Sequence, residues 1–362
     1  MRPPKGCAWS SPCGWREDLE EERAIRRLTA AALALALSLV WAPLMRAAPA
    51  PGPGGLPEVS GWRLGSELIM PISEHGVAEL GGRIYVMGGY PPGRIPTDTM
   101  QVYDVASGQW SLGPSLPMPL HHPMAAGVQG RLYVIGGEFD GAGTGRPAVF
   151  LDTVFELDPA EGTWRRRSAM PTARSGGGAA VINGKIYVAG GRPPRGNDFA
   201  VYDPAADRWT VLPDLPTQRN HLAVGASGAR VYVAGGRFGG GFNSERTAAL
   251  EIFDTTTNRW SAGRLMLTRR GGVAGVVANS CFFVIGGEGN PGDPRGLFNQ
   301  NEAYDPRSNS WHSLPPMPTP THGLGGAAFV NGLIHLPGGA ITQGGGSGSV
   351  IHWIYRPALT CS

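Results

Sequence analysis

Lysine is nearly missing from this chain of 362 residues: of 31 basic side chains, only Lys5 and Lys185 are lysines. That bias fits a GC-rich coding sequence better than a need for guanidinium. Charge as a whole is thin, 16% of residues against about 25% in an average soluble domain. The first 50 residues hold seven basic and five acidic groups, which leaves a body with 24 basic against 23 acidic. A body so evenly balanced excludes bulk-charge binding of nucleic acid or of an anionic membrane surface. Cysteine is scarce too, four in all. Cys7 and Cys13 precede the one long apolar run, Cys281 lies in the strand-like CFFVIGG, and Cys361 is next to last. That placement predicts one core thiol and one thiol on a frayed tail, with no disulfide framework. Missing as well are a P-loop, a Rossmann fingerprint, a nucleophile elbow and the ligand pattern of a calcium loop. No cofactor is therefore expected.

The single apolar run, LTAAALALALSLVWAPL (28–44), follows Arg26 and Arg27 and gives way to a Pro/Gly stretch. Residues 1–48 are expected to form a signal peptide or a retained membrane anchor containing a hydrophobic helix. Residues 49–60 then make a linker, and the body from 61 lies outside the cytoplasm, touching a membrane only through 28–44 if that segment is uncleaved. No Cys follows the run in lipobox fashion.

What is abundant is turn-forming residues, 56 Gly and 33 Pro, in a chain that is still 41% hydrophobic. Many short strands joined by many turns are implied. Six segments align: GGRIYVMGG (81–89), QGRLYVIGG (129–137), NGKIYVAGG (183–191), GARVYVAGG (228–236), NSCFFVIGG (279–287) and NGLIHLPGG (331–339). Their closing glycine pairs are 48, 54, 45, 51 and 52 residues apart. A period near 50 that carries several strand-length runs marks a propeller of four-stranded blades. Five copies continue to a Tyr-Asp or equivalent pair and a tryptophan, as in QVYDVASGQW (101–110), with the residue before Asp always seven positions ahead of Trp110, Trp164, Trp209, Trp260 or Trp311. Fixed spacing fits a hairpin of constant loop length, with the Asp accepting backbone N–H bonds in the turn.

This double-glycine, Tyr-Asp, Trp pattern resembles the kelch repeat over residues 61–359. The resemblance implies an all-β, six-bladed propeller of four antiparallel strands per blade. The sixth copy, IHWIYRP, has Tyr355 but no following Asp or Trp. Trp62, in GWRLGSEL, supplies what is missing, so the N-terminal strand is expected to join the last blade and close the ring, removing open edges.

In such a blade, the loop entering the inner strand and the loop leaving the glycine pair emerge on one face. His75, His122, Arg174, Arg219, Arg270 and His322 occupy the first position; Tyr90, Glu138, Arg192, Arg237, Glu288 and Ala340 occupy the second. Tyr90, His122, Glu138, Arg174, Arg192, Arg219, Arg237, Arg270, Glu288 and His322 are the candidate ligand-binding residues, since converging guanidinium groups suit carboxylate, phosphate or hydroxyl-rich ligands. The expected function is an exported interaction module for a protein, peptide or glycan, and not for nucleic acid. The alternative is a sugar mutarotase resembling the kelch-type sialate epimerases, with Glu138 or Glu288 exchanging a proton. His75, His122, His221 and His322 stand 13, 14, 14 and 16 residues before their glycine pairs. Such unequal offsets speak against a three-His metal shell, and no metal is expected.

Overall fold

The computed structural model describes residues 60–139, 149–192 and 195–361. The expected leader, its helix and nearly all of the linker lie outside the described residues, and no described helix is long and apolar enough to cross a membrane. Among the described residues there are six four-stranded antiparallel sheets and one two-stranded ladder, Glu138–Phe139 with Val149–Phe150. Blade 1 runs outward through Gly76–Leu80, Arg83–Met87, Met100–Asp104 and Gln109–Leu112. Blades 2 to 5 repeat this order. Blade 6 runs through Ala328–Val330, Leu333–Pro337 and His352–Tyr355, and its outermost strand is Trp62–Leu64. Trp62 sits opposite Tyr355 and Leu64 opposite Trp353, so the ring closes as the sequence predicts.

Three sets of hydrogen bonds explain the repeat. In the turns, Asp104, Asp158, Asp203, Asp254 and Asp305 each accept a backbone N–H two or three residues ahead, at 2.8–3.1 Å. Between blades, every repeat tryptophan donates its indole N–H to a carbonyl just beyond the outer strand of the preceding blade. The acceptors are Ser66, Pro114, Ser168, Pro213 and Arg264 for Trp110, Trp164, Trp209, Trp260 and Trp311, and Pro315 for Trp62. Nearer the axis, the second glycine of each pair donates to the next blade: Gly89 to Leu120, Gly137 to Arg174, Gly191 to Arg219, Gly236 to Arg270, Gly287 to Thr321 and Gly339 to Ile72. The first glycine has no room for a side chain. At Gly88, φ is +65° and a Cβ would lie 2.6 Å from the Leu120 carbonyl oxygen, so an L-residue fails there on both counts.

The cysteines behave differently from the sequence expectation. Cys281 and Cys361 form a disulfide with a Cα–Cα distance of 5.1 Å, and both are buried. The tail after Tyr355 turns back across blade 5, where the Cys361 N–H donates to Asn279 O at 2.9 Å and Asn279 Nδ2 donates to Pro357 and Leu359 carbonyls. Eighty residues of separation hid a pairing that ring closure makes local.

Trp62 is 1% exposed and packs on Tyr355 with ring centroids 4.6 Å apart. Trp62→Ala should therefore lower unfolding stability by about 3–5 kcal/mol, more than Trp164→Ala at a partly exposed indole, as read by urea denaturation. Reducing the disulfide should lower it by about 2–4 kcal/mol; unchanged melting with and without dithiothreitol would contradict the closed tail.

Candidate functional site

Fourteen residues before the first glycine of the pair in blades 1 to 5, and fifteen in blade 6, the chain turns into its inner strand through a left-handed residue. These are Glu74, His122, Gly176, His221, Gly272 and Gly323, with φ between 52° and 68°. Each donates its backbone N–H to the carbonyl of its counterpart in the preceding blade: Glu74 to Gly323, His122 to Glu74, Gly176 to His122, His221 to Gly176, Gly272 to His221 and Gly323 to Gly272, at 2.7–3.2 Å. Six peptides thus form a closed hydrogen-bonded hoop around the axis. Three carry side chains and three are glycines, and the glycines make space for the side chains. A Cβ on Gly323 would meet the Glu74 carboxyl at 2.9 Å, and one on Gly176 would meet the His221 ring at 3.1 Å.

Outside the hoop stand the residues that follow the glycine pairs. Arg192 Nη1 donates to Glu138 Oε2 at 2.7 Å, and Arg237 Nη1 pairs with Glu288. The second nitrogens of these guanidinium groups reach inward, Arg192 Nη2 to His122 Nε2 at 3.1 Å and Arg237 Nη2 to His221 Nε2 at 2.8 Å. His122 Nε2 is also 3.0 Å from Glu74 Oε2. His221 Nδ1 donates to Asn220 Oδ1 at 2.6 Å, and Asn220 Nδ2 donates to Gly239 O. On the other side, His121 joins the Tyr90 hydroxyl at 2.7 Å to the His122 ring. His322 Nδ1 lies 3.7 Å from Glu74 and 3.5 Å from Glu288. Below the hoop the axis opens into a cavity of ≈ 100 Å³ walled by Val77, Ala125, Ala179, Val224 and Gly275.

The glycine-rich loop of residues 341–348 covers the upper side. Gly344 N donates to Glu288 Oε2, Ser73 Oγ donates to Gly345 O, and Gln343 Nε2 donates to Phe242 O in the loop of blade 4. Under this strap Glu74, His122, His221, Arg237, Glu288 and His322 are all buried. Burial alone would raise the Glu74 carboxyl, yet the His122 hydrogen bond and charge, with His221 and His322 adding to it, hold it well below the usual carboxylate range. Burial, reinforced by the Arg237 and Arg192 charges, pushes His221 well below its ordinary value; burial also lowers His122 against the opposing pull of Glu74.

Of the ten candidate residues, Tyr90, His122, Glu138, Arg192, Arg237, Glu288 and His322 gather around the axis. Arg174, Arg219 and Arg270 do not. They lie two residues before the hoop position and point into the blades at 0–1% exposure. Arg174 donates to Asp198 O, Arg219 to Glu251 and Val233 O, and Arg270 to Val284 O and Gly286 O beside Glu302. Glu79, on the inner strand of blade 1, accepts the Gly82 N–H in its own turn. Glu74 was missed, although its 14-residue offset from Gly88 equals that of His122 from Gly136 and of His221 from Gly235.

A model of the KLHDC2/KLHL20/DRC7 Kelch-repeats domain matches residues 62–236, and the Kelch motif matches 218–264 and 269–318. The chain is 39% identical over 93 residues to Kelch-like protein terF of Aspergillus terreus, covering 25% of this chain and 20% of that protein. It is 30% identical over 104 residues to human Kelch-like protein 25, covering 27% and 17%, and 26% identical over 289 residues to Beta-scruin of Limulus polyphemus, covering 79% and 21%. The chain thus spans about a fifth of the length of the curated relatives it matches. A solved structure of YjhT superposes with a TM-score of 0.68 over 79% of this chain and 95% of that one, at 16% identity.

Burial pushes His75 down to about 4, and burial with the Arg63 charge pushes His335 down to about 4. Both stay neutral in the fold while the unfolded chain protonates near pH 6.5. The unfolded state then binds more protons between pH 6.5 and 4, so stability is full above this window and falls as pH drops through it. The slope should be about 1.4 kcal/mol per pH unit for each group. Urea midpoints measured from pH 7.5 to 4.5 check this, and a flat profile contradicts it.

Proposed function

This chain belongs to the kelch-repeat family, and on that premise we propose that it is an exported binding module that presents its strap-side loop face to a protein or peptide. Kelch propellers are in general protein-interaction modules. The observation that carries the reading is the apolar surface on that face. Phe238 and Phe242 in the blade 4 loop and Ile341 in the blade 6 strap are 37–40% exposed, and the two loops meet at the Gln343–Phe242 hydrogen bond. Aromatic side chains on loops held by a rigid scaffold are efficient anchors, since they bring large area with few rotatable bonds. A glycan could stack on the same rings, but the mixed aromatic and aliphatic rim suits an apolar peptide side chain better. Glu138 and Glu288 are committed to Arg192 and Arg237, so nothing favours the mutarotase alternative.

Export is supported by the Cys281–Cys361 disulfide, because such bonds persist in oxidising compartments and are reduced in most cytosols. The apolar run at 28–44 agrees with it.

A photo-crosslinker placed at Phe242 of the full chain in the native cell should capture one partner, and excess unlabelled chain should compete the product away. The same crosslinker at Leu112, on the outer edge, should capture none. Phe238→Ser with Phe242→Ser should abolish competition while leaving thermal unfolding within a few degrees. Equal capture from both positions, or competition that survives the double substitution, overturns the reading.

A further inference from the structure

We propose that Glu74, His122 and His221 form a binding site for one divalent transition-metal ion on the propeller axis, with an open coordination position facing the channel. One ligand atom from each residue lies within 4.8 Å of the other two, and all three residues are buried. The His122 and His221 rings meet edge to face with centroids 4.9 Å apart, and His122 Nε2 is already 3.0 Å from Glu74 Oε2. Zinc ligands stand about 2.0–2.2 Å from the ion, so a modest inward rotation of the side chains completes the shell.

The hydrogen bonds behind the two imidazoles set the tautomer that a metal requires. Asn220 Oδ1 can only accept, and the amide is oriented by its Nδ2 bond to Gly239 O, so His221 carries its proton on Nδ1 and keeps an Nε2 lone pair, which accepts from Arg237 Nη2 here and is the atom it would turn to an ion. His122 Nδ1 abuts His121 Nδ1, and His121 Nε2 joins the Tyr90 hydroxyl. A proton on His122 Nδ1 satisfies that chain and likewise leaves Nε2 bare. Such second-layer partners orient metal-bound histidines and raise their basicity.

With Nε2 bare, however, His122 points a lone pair at the Glu74 carboxylate. Moving the proton to Nε2 instead sets a donor against Arg192 Nη2. Neither protonation state satisfies all three groups, whereas a cation between nitrogen and carboxylate does. Arg192 and Arg237 each retain a carboxylate, Glu138 or Glu288, when the imidazoles turn to the ion.

Donor chemistry selects the ion. Two imidazoles and one carboxylate suit zinc, cobalt, nickel or ferrous iron, whereas calcium and magnesium seek all-oxygen shells. The cavity below, at ≈ 100 Å³, has room for several waters on the open position. A second cluster, His121, His122 and Glu138, is a poorer shell: His121 is engaged by Tyr90 and His122, and Glu138 by Arg192 and Ser175. His75 and His322, whose offsets from the glycine pairs differ from those of His122 and His221, stay outside the set, and Glu74 completes it.

The test uses the full chain stripped with chelator and titrated with Zn²⁺ and Co²⁺, followed by calorimetry and by the visible absorption of cobalt. Wild type should bind one equivalent in excess of His221→Gln and Glu74→Gln, each of which should lose it. His312→Ala, on the outer strand of blade 5, should leave it unchanged. Asn220→Ala should weaken binding about 10–100-fold by releasing the tautomer. Arg192→Gln should tighten it, since a competing donor and a positive charge leave the site. These opposite shifts keep the test decisive even if a ligand variant misfolds in the chelated state. No binding by wild type, binding retained in His221→Gln and Glu74→Gln, or unchanged affinity in both Asn220→Ala and Arg192→Gln overturns the site.

Discussion

Closure of the ring is the constraint on which everything else rests. Each blade gives its neighbour an indole hydrogen bond at the perimeter, a glycine N–H further in, and a hoop N–H at the axis. None of these can form within a single blade. The seam between blades 6 and 1 is made like the other five, with Gly339 donating to Ile72 at 2.9 Å and Glu74 to Gly323 at 2.7 Å. That equality depends on the strand Trp62–Leu64, because without it the last blade would expose the edge of His352–Tyr355. The disulfide then pins the final residues to blade 5. Both ends of the folded body are held by the same closing event.

The fold was legible because its signals are local and repeated. Glycine pairs, turn aspartates and tryptophans recur at fixed offsets, and each offset reports a bond between defined backbone groups. The missing tryptophan of the sixth copy pointed to Trp62 for the same reason. The site was less legible because its outcome turns on one or two residues of register. Arg174, Arg219 and Arg270 stand 16 residues before their glycine pairs and point into the blades, whereas His122 and His221 stand 14 before and point to the axis. His75 and Glu74 are neighbours, yet only Glu74 occupies the hoop. An alternation of this kind follows from backbone geometry, and aligning polar residues by eye does not resolve it. The Cys281–Cys361 bond was illegible for another reason: the chain after the last strand has no repeat to set its path.

Six copies in one molecule also separate what the fold needs from what it tolerates. The position of Arg174, Arg219 and Arg270 holds Ile72, Leu120 and Thr321 in blades 1, 2 and 6, and the glycine N–H bond to its carbonyl is kept in every case. A buried guanidinium is therefore not required there, in line with the weak net contribution of buried ion pairs to stability. These arginines belong to the packing of their own blades.

The hoop gives the opposite result. Gly176, Gly272 and Gly323 show that glycine alone satisfies its backbone, at a φ where an L-residue costs about 1–2 kcal/mol. Glu74, His122 and His221 accept that cost at φ of 52–54°, and they are the three hoop residues that carry side chains. Burying a carboxylate among imidazoles and guanidinium groups adds desolvation to backbone strain. Neither is needed for ring closure, since half of the hoop does without both. Strain concentrated on chemically capable side chains, in a scaffold whose other copies avoid it, marks a place where the sequence departs from its own repeat. The apolar rim above the strap is the second such departure, at Phe238, Phe242 and Ile341. Two proposed functional elements, one on the axis and one on the surface, thus stand on a ring that would close without either.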